Sequence, residues 1–323
     1  MTIYLVNTHF VEEVAIVAVH RTLPTDHLVY RLLEPHWLKT LSLNAAARSA
    51  LVPSVIVEIV GLAENQLYAF IKDAYGCFKW TALYIPNELS KRGFPIDQLT
   101  GDKFHNYAYG KNMSLMWQVL RTFVSSVLAT GFTSDDQVAN DSAIAAWVQE
   151  MRSESGGSMS SFPDIKSIDG LVDAVVMSIH IASPQHTAVN YPQDYYQSFV
   201  INQPSSLCAP LPTTLETLLT YKESDMMKAL PVNRPRDWLL ASHLPHLLSM
   251  RVAGDQNLIN YAVSLANLSA QKNEEAMAFA ATTLYMNLVN LIKVFERNSR
   301  KMDDQTVAYD VMNPAATAIS ILI

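Results

Sequence analysis

The chain has 323 residues, 50% hydrophobic and 16% charged, with 23 Lys plus Arg against 30 Asp plus Glu and a formal net charge of −7. So apolar a composition excludes a disordered chain and can fill a large core, while acidity without a Lys/Arg block excludes a nucleic-acid partner, which needs a concentrated basic face. Cys77 and Cys208 are too few for a disulfide framework or a Cys-rich zinc site, and 10 glycines with no GxGxxG or GxxxxGK argue against Gly-rich nucleotide loops.

Apolar residues recur mainly at helical spacing, beginning with Phe10, Val14, Val17 and Ala18. The first twenty residues contain Glu12, Glu13 and His20 and lack a basic start and a small-residue cleavage site, so they do not read as a signal peptide, and a cytoplasmic location is expected. Helices are predicted over residues 42–62 and around Trp117, Leu120, Val124, Val127 and Leu128. Ser134 with Gln137 three residues later is a capping-box pattern, which predicts a helix running through Trp147 to about Met151. Further helices are expected over 168–190, 235–250, 257–268 and 273–297. Between them lie breaker-rich loops: Pro86 to Pro95, Ser153 to Ser161, and Gln203 to Pro212. The longest uncharged stretch, Ala174 to Gln193, carries Ser178, His180, Ser183, His186 and Asn190, too many polar groups for a lipid-facing helix. No transmembrane span is predicted. The uncharged end of the sequence, Val311 to Ile323, is expected to be buried. The whole reads as one mainly α domain over residues 1–323.

Nine histidines are present, with no HExxH, no GxSxG and no Cys/His zinc spacing among them. His186 and Asn190 are four apart, on one helical face. An imidazole and an amide oxygen so placed suit a borderline divalent metal, although a single His on an apolar helix is also an ordinary core residue. His243 and His246 read as surface histidines near a bend at Pro245. His20, His27 and His36, among Arg21, Arg31 and Glu34, read as polar anchors of an irregular connection.

Read together, these strings resemble the lipoxygenase family in the C-terminal part of its catalytic domain. The likeness rests on Asn7-Thr-His9-Phe-Val-Glu-Glu13, on His27-Leu-Val-Tyr-Arg-Leu-Leu-Glu-Pro-His36 and on Thr40 to Arg48. It continues through Tyr107 to Trp117, Pro184-Gln-His186-Thr-Ala-Val-Asn190-Tyr-Pro-Gln193, and Asn313 to Ile323. The resemblance implies a helical catalytic domain lacking its N-terminal helices. It implies a non-haem iron, or manganese as in one fungal branch, one per chain, bound by His186, Asn190 and the main-chain carboxylate of Ile323. Gln193 matches a residue that orients the ligands, and Ser42 matches a pocket position whose size steers oxygenation. The family has two further metal histidines. The position of the second reads Tyr4 here, and the first would precede Met1, so three of five expected ligands are present, with Tyr4 and His9 as possible substitutes.

The activity so implied is hydrogen abstraction from the methylene between two cis double bonds of a polyunsaturated fatty acid of the linoleate type. Capture of the radical by O2 then gives a hydroperoxide, with the protein binding, orienting and tuning the metal. Loss of two histidines is expected to impair the chain taken alone. The alternative is a non-catalytic lipoxygenase-like module that binds lipid or a protein partner.

Overall fold

The computed structural model describes residues 2–197, 199–202, 204–251, 254–304 and 308–321, without the side chains of residues 2–9, 196 and 197. The described residues are helices and loops, with one isolated antiparallel bridge, Asn257 to Ala318, and no β-strand. They fall into two compact units: the described residues up to Leu41 with Ala74–Ala188 and those after Arg251, and Ser42–Asp73 with Val189–Arg251.

In the first unit, helix Ala108–Leu128 is central, packed by Ile168–His180 and by Glu275–Arg300. Its buried residues Met113, Met116, Leu120, Val124 and Val127 follow the helical stripe that the spacing requires. Leu258–Gln271 and Glu275–Arg300 form an antiparallel pair. Helix Thr2–Thr22 lies against Ser142–Arg152. An aromatic nest closes this region, with the Phe162 ring 4.9 Å from Trp80 and 5.2 Å from Trp147, both edge-on.

The single helix expected from Ser134 to Met151 is two. Ser134 accepts from the Gln137 amide and starts Asp135–Ala139, but the Gln137 side chain turns to the Thr133 amide, so the box is not closed. Asp141 then ends the run by capping Ser142–Arg152, its Oδ1 accepting from the amides of Ala143 and Ile144 at 2.9 Å each. A carboxylate that satisfies two orphan donors starts a new helix more favourably than it continues the old one.

In the second unit, the run expected over 42–62 begins at Thr40 and is α only at its ends, Thr40–Ala46 and Val57–Val60. Residues Ala47–Ile56, around Pro53, are wound as a π-helix. Proline lacks an amide hydrogen and crowds the carbonyl four residues back, and the wider turn relieves both. Gly61, at φ 66°, closes the run in the left-handed conformation. Gln193–Gln197 packs on Pro235–Leu248, and Arg236 meets Glu58 at 3.0 Å. By length and composition alone, Thr40–Val60 and Glu275–Arg300 are apolar enough to cross a membrane, although the second presents Leu284, Leu288 and Leu291 to the core of its own unit.

Candidate metal centre

The helix predicted over 168–190 is one continuous winding with a change of pitch. Ser167 caps it at the Gly170 amide, Ile168–His180 is α, Ile181–Gln185 is π around Pro184, and His186–Asn190 is α again. From Leu171 to Thr187 every residue but Asp173 is buried, so the polar members of that stretch are withdrawn from water. A π-turn is a frequent mark of functional positions, because it re-aims the residues that follow.

His186 is 4% exposed and Thr187 fully buried. Asn190 and Gln193 are each 1% exposed. The Gln193 side-chain amide donates to Asn190 Oδ1 at 3.0 Å. An amide oxygen has two lone pairs and can serve more than one partner, and this bond fixes the orientation of the side chain. Ser249 Oγ accepts from the Asp194 amide at 2.8 Å and shares its one proton between the Pro245 carbonyl at 2.7 Å and the Asn190 carbonyl at 2.9 Å, which ties the backbone at Asn190 to the helix Pro235–Leu248. Thus Asn190 is held at both its oxygens.

Of the other expected site residues, Tyr4 and His9 lie on Thr2–Thr22 with side chains outside the description, and Ile323 lies outside the described residues. Ser42 is exposed. His243 and His246 are exposed as expected, His246 beside Asp194 at 3.2 Å, and the helix runs unbroken through Pro245. Among the described residues no three His, Cys, Asp or Glu side chains converge on one point. The donor set present, a buried imidazole and a braced buried amide on one helix, is nitrogen and oxygen chemistry that fits iron or manganese.

Three buried polar residues escaped the reading of the sequence. Glu12 is 2% exposed, accepts from Thr40 Oγ1 at 3.2 Å, and is pushed by burial well above the usual carboxylate range. His36 is buried, with Nδ1 donating to the Ile319 carbonyl at 2.6 Å. Burial lowers its pKa to about 4 and keeps it neutral, and Nε2 has no partner among the described residues. His180 is fully buried against the edge of Trp117, neither ring nitrogen has a partner among the described residues, and burial lowers its pKa to about 3. Glu12 had a signal: with Ala15, Ile16 and Val19, all buried, it forms one helical stripe. His180 had one as well, since it lies within the apolar run from Ala174 to Ala182, whereas the mixed polar surroundings of His36 gave none.

Residues 2–293 match the family model described as lipoxygenase. The chain is similar to a manganese lipoxygenase of Pleurotus sapidus, 51% identical over 326 residues that take in 100% of this chain and 50% of that protein. It is also similar to linoleate 9S-lipoxygenase 1 of Oryza sativa subsp. japonica, 30% identical over 215 residues, 64% of this chain and 25% of that protein. Among solved structures, a fungal lipoxygenase from Fusarium graminearum aligns with a TM-score of 0.93 at 44% identity, over 99% of this chain and 53% of that one. The chain therefore spans 50% or less of the length of these curated relatives.

Proposed function

The chain belongs to the lipoxygenase family, and on that premise we propose that it works in a non-haem metal dioxygenase that converts linoleate-type polyunsaturated fatty acids and O2 into hydroperoxides. The observation that carries the reading is the braced pair on one helix: His186 buried, and Asn190 buried four residues on with its side-chain oxygen held by Gln193. His186, Asn190 and the Ile323 carboxylate are the residues proposed to hold the metal. Similarity to a manganese lipoxygenase makes manganese the first metal to load and iron the second.

When bound, the metal supplies the one-electron redox chemistry that opens a doubly allylic C–H bond. The substrate thereby loses one hydrogen and gains O2 and one hydrogen, so the net change is RH + O2 to ROOH. The chain's own part is placement. Gln193 fixes the Asn190 amide, Ser249 fixes its backbone, and the apolar walls of the His186 helix keep bulk water from the donors. No side-chain acid or base is required.

Tyr4 stands where the resemblance expects the second metal histidine. An amide oxygen is a weak donor, and we expect low metal affinity and slow turnover from this chain alone. The same observation favours a second reading, a non-catalytic lipoxygenase-like module that binds lipid or a protein partner. Oxygen consumption with linoleate after loading with manganese, and separately with iron, discriminates them. Uptake that disappears in His186→Ala supports the dioxygenase, and none with either metal at high enzyme concentration supports the binding module.

A further inference from the structure

The segment Thr317 to Ile321 is buried, and it is held in an unusual way. On one side it pairs with backbone: the Leu258 amide donates to the Thr317 carbonyl and the Ile319 amide to the Gln256 carbonyl, each at 3.1 Å. In an extended chain the polar groups of the intervening residue point the other way. Those of Ala318 therefore face away from Gln256 and Leu258, where a sheet would supply another strand. Among the described residues no strand follows. Ser183 Oγ donates to the Ala318 carbonyl at 2.5 Å, and the Ala318 amide donates to Thr187 Oγ1 at 3.1 Å.

Both hydroxyls come from the winding that carries His186, four residues apart and on either side of the change from π to α pitch. They capture the one backbone donor and the one backbone acceptor that a single residue, Ala318, offers. Next along the chain, the Ile319 carbonyl accepts from His36 Nδ1 at 2.6 Å. All five residues are buried, so none of these bonds is exchanged readily for water.

We propose that Ser183 and Thr187 form a hydroxyl clamp on Ala318 that sets the register of the terminal segment against the His186 helix, and that this register positions the donors of the metal centre. The inference rests on the reading of His186 as a ligand given above. Its logic is one of distance. A slip of one residue shifts an extended segment by about 3.3 Å and reverses the side to which every side chain points. Metal–ligand distances tolerate about 0.2 Å. Ile323 lies five residues beyond Ala318, and the backbone pairing to Gln256 and Leu258 on one side is only a single bridge. The clamp adds a second, independent fix on the same residue. Thr187 also follows His186 directly, and consecutive residues of a helix point about 100° apart, so the hydroxyl can hold the segment while the imidazole faces elsewhere. Ser183 and Thr187 are positioning residues, not ligands.

The test uses the full chain and three variants: Thr187→Val, which keeps shape and removes the acceptor, Thr187→Ser, which restores it, and Ser183→Ala. Amide hydrogen exchange is followed without metal, and Mn2+ affinity is measured by titration of the free ion by electron paramagnetic resonance, with His186→Ala alongside. Thr187→Val is expected to speed exchange at Ala318 at least about 10-fold while the Leu258 amide keeps its protection, and to weaken Mn2+ binding by about 10- to 100-fold, the usual range for residues that orient ligands. Thr187→Ser is expected to restore both, and Ser183→Ala, a milder change should Thr187→Val fold poorly, to weaken Mn2+ binding in the same direction. Mn2+ affinity unchanged in Thr187→Val and Ser183→Ala, in the face of its loss in His186→Ala, overturns the clamp and leaves the ligand assignment standing. Binding unchanged in His186→Ala overturns the ligand assignment itself, and the clamp's role at a metal falls with it.

Discussion

His180→Leu is expected to stabilise the protein, and to do so by more at pH 5 than at pH 7. The imidazole is fully buried, both its nitrogens lack partners among the described residues, and its ring contact is the edge of Trp117, with centroids 5.6 Å apart. Removing a buried polar group that has no hydrogen bond to lose recovers its desolvation cost, about 1–3 kcal/mol, against about 1 kcal/mol for the lost aromatic contact. The pH term adds to this. The folded pKa is lowered from 6.5 to about 3, so the unfolded chain binds the proton first. The stability tied to the neutral ring is therefore complete above pH 6.5 and is lost as pH falls from 6.5 towards 3. At 1.36 kcal/mol per unit, the loss between pH 7 and pH 5 is about 2 kcal/mol for this residue. Urea unfolding of parent and variant at pH 7, 6 and 5 measures both effects. A variant less stable at pH 7, with the parent's slope towards acid, would refute the reasoning and show the ring to be hydrogen-bonded in the folded protein.

Glu12 has the opposite sign. Its carboxyl is held well above the ordinary range by burial, so its contribution is complete below pH 4.5 and is lost as pH rises; Glu12→Gln should shrink the fall in Tm between pH 5 and pH 8, as thermal melts by circular dichroism will show. Asp141→Ala removes the cap of Ser142–Arg152 and should cost about 1 kcal/mol in urea unfolding, whereas a neutral result would mean that packing alone breaks the helix at Asn140. Gln193→Leu frees the Asn190 amide and should lower Mn2+ affinity by about 10- to 100-fold without lowering Tm by more than a few degrees; equal affinities in a metal titration would remove Gln193 from the site.

Much of this architecture is legible in the sequence because it is set by apolar periodicity. The stripe from Met113 to Val127 and the buried run after Ile168 are where the spacing puts them, and of the apolar end expected to be buried from Val311, the stretch Thr317 to Ile321 is buried while Ala315 is exposed. What was not legible depends on partners far away in the chain. Pro53 and Pro184 are tolerated inside helical runs because the backbone widens to π pitch, and nothing local distinguishes that outcome from a break. Asp141 looks like any surface carboxylate until its two amide partners are seen. His36 reads as a loop histidine, yet its acceptor, Ile319, is 283 residues away. The pair His186 and Asn190 was visible from spacing alone, and the Gln193 bond to Asn190 now gives it a physical bracing. The bonds that join Ser183 and Thr187 to Ala318 are beyond any local reading, since their partner lies 135 and 131 residues away in the chain.

The most direct measurement is a Mn2+ titration of the 323-residue chain beside its His186→Ala variant, with thermal unfolding of both as the control for folding. One binding site per chain in the parent, absent from a variant that unfolds at the same temperature within a few degrees, is the result that a metal centre at His186 predicts. Superimposable binding curves for the two proteins would contradict it.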